Sequence, residues 1–241
     1  MKAMILAAGY GTRLLPLTQN KPKALIEVGG KPLLEHCIEN LINFGFNEIV
    51  INTHYFASQV ISFLNSKTFD ANIFISDETE RLLDTGGGIF KARQFLDGNE
   101  PFLVHNVDII SNIDLAELYN IHGQADILAT LAVNQRDSSR VFLFNNDMQL
   151  AGWRNMVTGK VIISNFSPQL TAYAFCGIHV ISPRIFSAIK ATGVFSIVDI
   201  YLNLCKDYRI QGVNLPNNFI LDVGNPDSIA IAESFLHSCN H

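Results

Sequence analysis

Short apolar runs alternate along the first half of the chain with stretches whose apolar residues recur every three or four positions. The apolar runs predict buried strands at 2–7, 48–52, 72–76 and 102–106. The periodic stretches predict helices at 33–42 and 57–64, and a third helix that begins near Gly88. Strands and helices in strict turn predict a parallel sheet with helices on both faces and a ligand beyond the carboxyl ends of the strands.

The second half of the pattern contains more strands. It predicts a strand at 127–133, a hairpin around Asn145-Asn146-Asp147, a strand pair at 171–175 and 177–181, and strands at 210–215 and 219–223. Helices are predicted at 183–189 and 197–205, with N-terminal caps at Asp114, Ser196 and Asn225 for three helices of this half. The whole chain, 1–241, is therefore predicted to be one α/β domain: a doubly wound, mostly parallel, Rossmann-like mixed sheet with a β-rich second half.

Composition agrees with a globular chain, since 48% of the 241 residues are hydrophobic and 16% are charged. No run of about 18 apolar residues is present that could span a bilayer. The four cysteines are far apart and form no C-x-x-C pair, which supports neither a zinc site nor a disulfide framework. We therefore expect a reducing, cytoplasmic location.

The net charge of −5 gives no general affinity for nucleic acid or for an anionic membrane, so neither is expected as a partner. Its distribution is uneven, because the first 31 residues carry five Lys or Arg residues and Glu27 as their single carboxylate. A basic segment in an acidic chain favours a small, highly charged anion as the ligand.

Two glycines follow the first predicted strand directly, in Gly9-Tyr10-Gly11, and Arg13 and Lys23 come soon after. Backbone without Cβ atoms can wrap its N–H groups around phosphate oxygens, while the two cations neutralise the phosphate charge. The segment is not a dinucleotide fingerprint, because Leu14 stands at the third glycine position, and it is not a P-loop. We interpret it as a phosphate-binding loop; for the glycines alone, a tight exit from the strand is the alternative.

The longer stretch Leu6-Ala7-Ala8-Gly9-Tyr10-Gly11-Thr12-Arg13-Leu14, followed by Pro16-Leu17-Thr18 and Pro22-Lys23, resembles the opening signature of the sugar-1-phosphate nucleotidyltransferases. The resemblance implies that Arg13 stabilises a departing pyrophosphate and that Lys23 contacts the reacting phosphates. It also implies a nucleotide-binding half at 1–112 and a sugar-binding half at 113–241. The nucleotide contacts that it implies are Leu6, Ala8, Gly9, Gly11, Thr12, Arg13, Thr85, Gly86, Gly87 and Asn106. No left-handed β-helix hexapeptides occur, so no C-terminal domain of that type is expected.

Three consecutive glycines, Gly86-Gly87-Gly88, lie between a predicted strand and a predicted helix. Glycines at the start of a helix lower its stability, which indicates that the backbone there approaches something flat or charged; a flexible loop is the alternative. The family resemblance implies that this loop packs on the base. The T-G-G-G-I-F-K-A form resembles the N-acetylmuramate-1-phosphate uridylyltransferases in particular, although Glu80-Arg81-Leu82-Leu83 lacks the proline usual in the family.

Asp108 follows the strand predicted at 102–106, and Asp222 lies near the end of the strand predicted at 219–223. Two carboxylates at this edge of the sheet could hold one Mg²⁺ against a triphosphate, because Mg²⁺ prefers oxygen ligands and few protein groups. Singly, each could equally be a helix cap or a strand-end charge. The resemblance implies that both are metal ligands and that Asp108 is catalytic. Val107 replaces the glycine of the family's N-G-D, which predicts a slightly altered distance to the substrate.

Two positions are assigned to the sugar. Phe175-Cys176-Gly177-Ile178 resembles the family's segment at the sugar pocket, where Gly177 leaves room for a pyranose; a strand bulge is the alternative. The lactyl carboxylate of a muramate needs a cation or several donors, because its unpaired burial would cost several kcal/mol. The cations available for this in the first strands of the β-rich half, between residues 113 and 160, are Arg136, Arg140, Arg154 and Lys160. We select Arg140, with an ordinary hairpin charge as the alternative.

Together these motifs predict an Mg²⁺-dependent enzyme that joins a nucleoside triphosphate to a sugar 1-phosphate, with UTP and N-acetylmuramate 1-phosphate as the best match. The sugar phosphate is already a nucleophile, so alignment and charge neutralisation suffice without a general base. One alternative is a mannose-1-phosphate or heptose-1-phosphate guanylyltransferase. Another, of a different class, is a non-catalytic domain that binds a nucleotide sugar and regulates a partner.

Overall fold

The computed structural model describes residues 1–123 and 126–239. The strands are β1 (Lys2–Leu6), β2 (Glu27–Val28), β3 (Lys31–Pro32), β4 (Glu48–Thr53), β5 (Asn72–Asp77), β6 (Phe102–Asn106), β7 (Ile109–Ser111), β8 (Ala129–Asn134), β9 (Arg140–Phe144), β10 (Leu150–Asn155), β11 (Val161–Ile163), β12 (Thr171–Ile181), β13 (Ile210–Asn214) and β14 (Ile220–Asp222). The helices are α1 (Leu33–Asn43), α2 (Ala57–Asn65), α3 (Asp84–Lys91), α4 (Arg93–Leu96), α5 (Leu115–Gly123), α6 (Ile185–Ala188), α7 (Ile197–Leu204) and α8 (Asp227–Cys239).

One large mixed sheet organises the described residues, with ten strands. Its main path runs β11-β10-β9-β12-β6-β1-β4-β5, and β8 pairs with β12 while β13 pairs with β8. Strands β5, β4, β1 and β6 are parallel, whereas β12 is antiparallel to β6 and the strands β9 to β11 are antiparallel to their neighbours. The predicted parallel core with a β-rich second half is thereby confirmed.

Both faces of this sheet are covered by helices. Side chains alternate across β1, so Ala3 and Ile5 pack in a core cluster with α1, α2, α5 and α8. Met4 points the other way and belongs to a second cluster with α3, α4, α6 and α7. Strands buried on both faces need nearly continuous apolar sequence, which is what the first half of the chain shows.

Two predicted elements need correction. The third helix begins at Asp84 rather than near Gly88, so the three glycines lie inside α3 and not before it. The predicted strand pair at 171–175 and 177–181 is one continuous strand, β12, whose register against β8 shifts between Phe175 and His179. Gly177 lies in that interval with a φ of 74°, a left-handed conformation that glycine adopts without steric strain. The bulge named as the alternative for Gly177 is therefore present.

The predicted helix caps are confirmed. Asp114 Oδ1 accepts a hydrogen bond from the backbone N–H of Glu117 at 2.8 Å, and Asn225 Oδ1 accepts one from Ser228 at 3.0 Å. Ser196 Oγ accepts one from the N–H of Val198 at 3.2 Å. Each cap accepts a hydrogen bond from an N–H group of a first helical turn, where the helix itself supplies no i−4 carbonyl. Among the described residues, the helices are all too short or too polar to cross a membrane.

Candidate active site

The carboxyl ends of β1, β4 and β6 meet at one edge of the sheet and surround a cavity of about 210 Å³. The predicted site residues that line it are Leu6, Ala8, Gly9, Lys23, Thr85, Asn106 and Asp108. Gly11, Thr12, Arg13, Gly86, Gly87 and Asp222 do not line it. The sequence prediction of a ligand beyond the strand ends thus coincides with an open pocket, and the individual contacts to a ligand stay predictions.

The two glycines of the phosphate-binding loop differ in their surroundings. A Cβ at Gly9 would have no protein atom within 4 Å, so the space above this residue is open. Gly11 has a φ of 65°, and a Cβ there would lie 2.9 Å from Cβ of Lys23. Its carbonyl accepts a hydrogen bond from Oγ1 of Thr18 at 2.9 Å. Gly9 therefore leaves room for a ligand, whereas Gly11 lets the loop fold back so that Lys23 reaches the cavity.

Lys23 and Asp108 form an ion pair beside this cavity. Both side chains are largely buried, with exposed fractions of 10% and 14%. Burial acts to raise the pKa of Asp108, but the charge of Lys23 and its hydrogen bond outweigh burial, so the pKa lies below the usual range. Asp108 is therefore ionised at neutral pH, as a metal-binding carboxylate must be.

Asp222 reaches the same place through tertiary structure. Strand β14 pairs with β7 so that Asp222 lies opposite Ile109, and the N–H of Val223 donates to the carbonyl of Asp108 at 2.8 Å. Nη2 of Arg13 contacts Oδ2 of Asp222 at 3.3 Å. Burial, and then the charge of Asp108, raise the pKa of Asp222, as expected for two carboxylates that share one site.

These two carboxylates fit a divalent cation. Oδ1 of Asp222 is buried and has no hydrogen-bond partner, which leaves it with an unsatisfied acceptor position. Nowhere in residues 1–123 or 126–239 do three or more His, Cys, Asp or Glu side chains form a metal-binding group. Mg²⁺ needs only one or two protein carboxylates when substrate phosphates complete its coordination, so Asp108 and Asp222 could hold it.

The triple glycine of α3 is packed against protein. A Cβ at Gly86 would lie 2.6 Å from the ring of Phe195, and one at Gly87 would collide with the carbonyl oxygen of Gly193. Gly86 and Gly87 are buried, whereas Thr85 lines the cavity and its Oγ1 accepts a hydrogen bond from the backbone N–H of Ile197 at 3.0 Å. The close approach inferred from these glycines therefore has a partner within the protein, the segment before α7. Their contact with a base stays a prediction.

A buried polar network, which the sequence analysis missed, connects α3 to the phosphate-binding loop. Oδ1 of Asn52 accepts from the N–H of Ala7 at 2.7 Å, and its Nδ2 donates to Oε1 of Glu78 at 2.6 Å. Oε2 of Glu78 accepts from the N–H of Leu83 at 3.1 Å, directly before α3. Burial raises the pKa of Glu78, which has no exposed surface. In the sequence, the network is indicated only by Asn52 near the end of β4 and by Glu78 directly after β5.

Gly88→Ala is expected to disturb this network. The new Cβ would lie 2.7 Å from Oε1 of Glu78 and 2.9 Å from Nδ2 of Asn52, and neither buried group can move aside freely. Overpacking of this kind costs about 1–3 kcal/mol, more than the roughly 1 kcal/mol that Ala gains over Gly in a helix. Thermal unfolding should show a lower Tm for Gly88→Ala. The control is Gly123→Ala in α5, where a Cβ would meet nothing within 4 Å, and it should not lower Tm. An unchanged Tm for Gly88→Ala would contradict the packing role.

A larger cavity of about 500 Å³ adjoins the first, and the two share Leu6, Asp84, Thr85 and Asn106. The remainder of its lining comes mostly from the antiparallel strands and α7, and it includes Arg140, Trp153, Asn155, Lys160, Phe175, His179 and Asp199. Gly177 is not in the lining; a Cβ there would lie 2.9 Å from Nδ2 of Asn106. Gly177 therefore makes room for a cavity-lining side chain, and its direct contact with a sugar stays a prediction.

Solved structures agree in fold: UDP-glucose pyrophosphorylase from Acinetobacter baumanii superposes with a TM-score of 0.77 at 16% identity, covering 96% of this chain and 91% of that one. HddC from Yersinia pseudotuberculosis, complexed with GMP-PN, gives a TM-score of 0.77 at 20% identity, covering 98% and 99%.

The sequence carries the relationship further. Residues 2–142 match the protein family described as Nucleotidyl transferase. The N-acetylmuramate alpha-1-phosphate uridylyltransferase of Caulobacter vibrioides is 34% identical, with 97% of this chain and 96% of the relative covered. Mannose-1-phosphate guanylyltransferase 1 of Arabidopsis thaliana is 32% identical over 94% of this chain, which spans 62% of that relative. The chain belongs to the nucleotidyl transferase family, as a sugar-1-phosphate nucleotidyltransferase.

Proposed function

We propose that the enzyme transfers a uridylyl group from UTP to N-acetylmuramate 1-phosphate, giving UDP-N-acetylmuramate and pyrophosphate. The observation that carries this choice is the 34% identity to a uridylyltransferase of that specificity over nearly the full length of both chains. The T-G-G-G-I-F-K-A segment beginning at Thr85 supports the same choice. Three of the four cysteines, Cys37, Cys176 and Cys205, are buried free thiols, which supports a reducing, cytoplasmic location.

The two adjoining cavities support separate binding sites for the nucleotide and for the sugar. The smaller one is lined entirely by residues of the half 1–112 and suits the nucleotide; the larger draws mostly on 113–241 and suits the sugar. An oxygen of the sugar phosphate would attack the α-phosphorus of UTP, and the bond from that phosphorus to the bridging oxygen would break, releasing pyrophosphate. Because the attacking oxygen is already ionised, the protein has to align it and neutralise charge.

The charged residues each have a role in this scheme. Asp108 and Asp222 would hold Mg²⁺, which would neutralise phosphate charge when bound. Lys23 lies at the cavity beside Asp108 and would contact the reacting phosphates. Arg13 is largely exposed, with 63% of its side chain accessible; its guanidinium contacts Asp222 and would stabilise the charge of the departing pyrophosphate.

Arg13→Lys is expected to lower kcat by about ten- to a hundredfold with little change in KM. Lysine keeps the charge but lacks the planar fork that binds two phosphate oxygens at once, and the charge on pyrophosphate is greatest in the transition state. Steady-state kinetics with UTP would measure both constants, with Arg209→Lys, exposed and distant in sequence, as the control. A change confined to KM would contradict a transition-state role.

Pyrophosphate release on mixing triphosphates with sugar 1-phosphates tests the whole proposal. Five nucleoside triphosphates would be screened against N-acetylmuramate, glucose, mannose and heptose phosphates, with the fastest pair expected to be UTP and N-acetylmuramate 1-phosphate. A preference for GTP with mannose 1-phosphate would favour the guanylyltransferase alternative, which the 32% identity to the Arabidopsis enzyme supports. Binding of a nucleotide sugar without turnover across the panel would favour a regulatory binding domain.

A further inference from the structure

A row of three polar side chains crosses the antiparallel strands of the larger cavity. Arg140 on β9 lies directly opposite Asn155 on β10, and the N–H of Asn155 donates to the carbonyl of Lys160 at 2.8 Å. Directly opposed residues of antiparallel strands project from the same face of a sheet. All three side chains line the cavity, and with strands about 4.8 Å apart the row is about 10 Å wide.

The register excludes the other cations from this face. Arg154 precedes Asn155 on β10 and pairs with Val141 and Val161. Successive side chains of a strand point to opposite faces, so Arg154 projects from the face of the sheet opposite to Asn155. Arg136 donates to the carbonyl of Phe175 at 3.2 Å and does not line the cavity. Of the four cations between residues 113 and 160, Arg140 and Lys160 are the ones at the cavity wall.

A tight turn places Lys160 beside Asn155. Oδ1 of Asn155 accepts from the N–H groups of Val157 and Thr158, both at 2.9 Å, and Gly159 closes the turn with a φ of 73°. The turn residues therefore occupy the oxygen of Asn155, and its Nδ2 is the group that remains to donate into the cavity. The row thus offers two cations and one neutral donor.

The charges of the row are not compensated by ion pairs. In the parts of the chain that the structure describes, neither Arg140 nor Lys160 forms a salt bridge. The carboxylates of the cavity, Asp84 and Asp199, lie on α3 and α7, and in residues 1–123 and 126–239 neither forms an ion pair with Arg140 or Lys160. No residue of β9, β10 or β11 lines the smaller cavity, so the row is distinct from the cations of the phosphate-binding loop.

We propose that Lys160 and Arg140, with Asn155 between them, bind a carboxylate carried by the sugar 1-phosphate and so select a sugar acid over its neutral counterpart. The proposal rests on the proposed function and adds the residues that decide its sugar specificity. Two cations and an amide donor on one wall satisfy a carboxylate, whereas a neutral sugar would leave the cations without a partner. Lys160, on the turn before β11, is the new element of this site.

The test compares two sugars that differ only in the lactyl group, N-acetylmuramate 1-phosphate and N-acetylglucosamine 1-phosphate, each with UTP. Lys160→Ala is expected to lower kcat/KM for the muramate by about ten- to a hundredfold, mainly through KM, because a charge-assisted contact is lost. Activity with the glucosamine should change by less than about threefold. Lys160→Arg should recover most of the muramate activity, and the Lys160→Ala/Arg140→Ala double variant should lose the preference for the acid.

Arg154→Ala is the matched control, since it removes the same charge from the same hairpin on the opposite face, and both sugars should be unaffected. Equal losses for both sugars in Lys160→Ala, or no loss, would overturn the proposal. A second pair of sugars, glucuronate 1-phosphate and glucose 1-phosphate, tests whether the site binds a carboxylate on C5 instead of a lactyl carboxylate. Lys160→Ala should reduce the preference for the acid only in the pair whose acid the wild type prefers.

Failure of the proposed function is separable from failure of the carboxylate site. If UTP is not the substrate, the same sugar pairs would be measured with whichever triphosphate turns over. If nothing turns over, calorimetry of the free sugar phosphates gives the same comparison: tighter wild-type binding of the acid that Lys160→Ala abolishes would support the site, and equal binding of acid and neutral sugar would overturn it.

Discussion

Asp108→Asn is expected to lower kcat by about 10³-fold or more, the largest effect of any single substitution in the site. Asparagine preserves the shape of the side chain but removes the negative charge that binding of a divalent cation requires, and the cation in turn neutralises the phosphates. Asp222→Asn should have an effect of similar order, because the β7 and β14 ladder brings both carboxylates to one place. Turnover at a range of Mg²⁺ concentrations would measure the loss.

The matched control is Asp207→Asn, an exposed aspartate outside the two cavities. It should leave kcat unchanged. With EDTA, Tm should fall by no more than a few degrees for Asp222→Asn. Asp108→Asn leaves the buried ammonium group of Lys23 without its partner and should lower Tm further, so its turnover is measured well below its unfolding transition. Normal turnover of either variant at limiting Mg²⁺ would remove that residue from the metal site.

Lys23→Met should lower both kcat and stability. The ammonium group of Lys23 is buried with the carboxylate of Asp108, and removal of one partner of a buried pair leaves an uncompensated charge, a loss of about 3–5 kcal/mol. Turnover should fall by about 10²-fold or more, since a cation aimed at the reacting phosphates is also lost. Activity assays and thermal unfolding would measure the two effects separately.

Mg²⁺ distinguishes the two roles of Lys23. A divalent cation held by Asp108 would compensate part of the missing charge, so the Tm deficit of Lys23→Met should be smaller with Mg²⁺ than with EDTA. Lys21→Met is the control, because Lys21 forms an exposed pair with Glu27 and should cost little stability. If Lys23→Met had the same Tm as the wild type in EDTA, the buried pair would not contribute to stability.

The phosphate-binding loop shows how far local sequence carries a site prediction. Gly9 and Gly11 follow β1 directly, so their place at the edge of the sheet depends only on where that strand ends. The sequence could not predict that Gly9 leaves open space whereas Gly11 permits a close backbone contact. The reason is that Gly11 approaches Lys23, on the far side of the loop. The same holds for Gly86 and Gly87, whose partners Phe195 and Gly193 are more than a hundred residues away.

The network of Asn52 and Glu78 was missed for a related reason. Each residue ends or follows a strand of the parallel sheet, and nothing in the local pattern separates a polar strand end in water from one buried in a network. Val107 is a similar case: its side chain packs in the core and also lines the cavity, so the effect of the exchanged glycine on substrate distance stays a prediction.

The sequence by itself determined most of the longer strands and helices, their alternation, the loop with its cations, and the two aspartates as candidates. These are properties of residues near one another in the chain, where periodicity, turn chemistry and backbone freedom act directly. Tertiary structure alone decided that Asp222 lies beside Asp108, and that Arg140 and Lys160 face the cavity while Arg154 faces away. Strand pairing fixes both results, because a shift of one residue in register would turn every side chain of a strand to the opposite face.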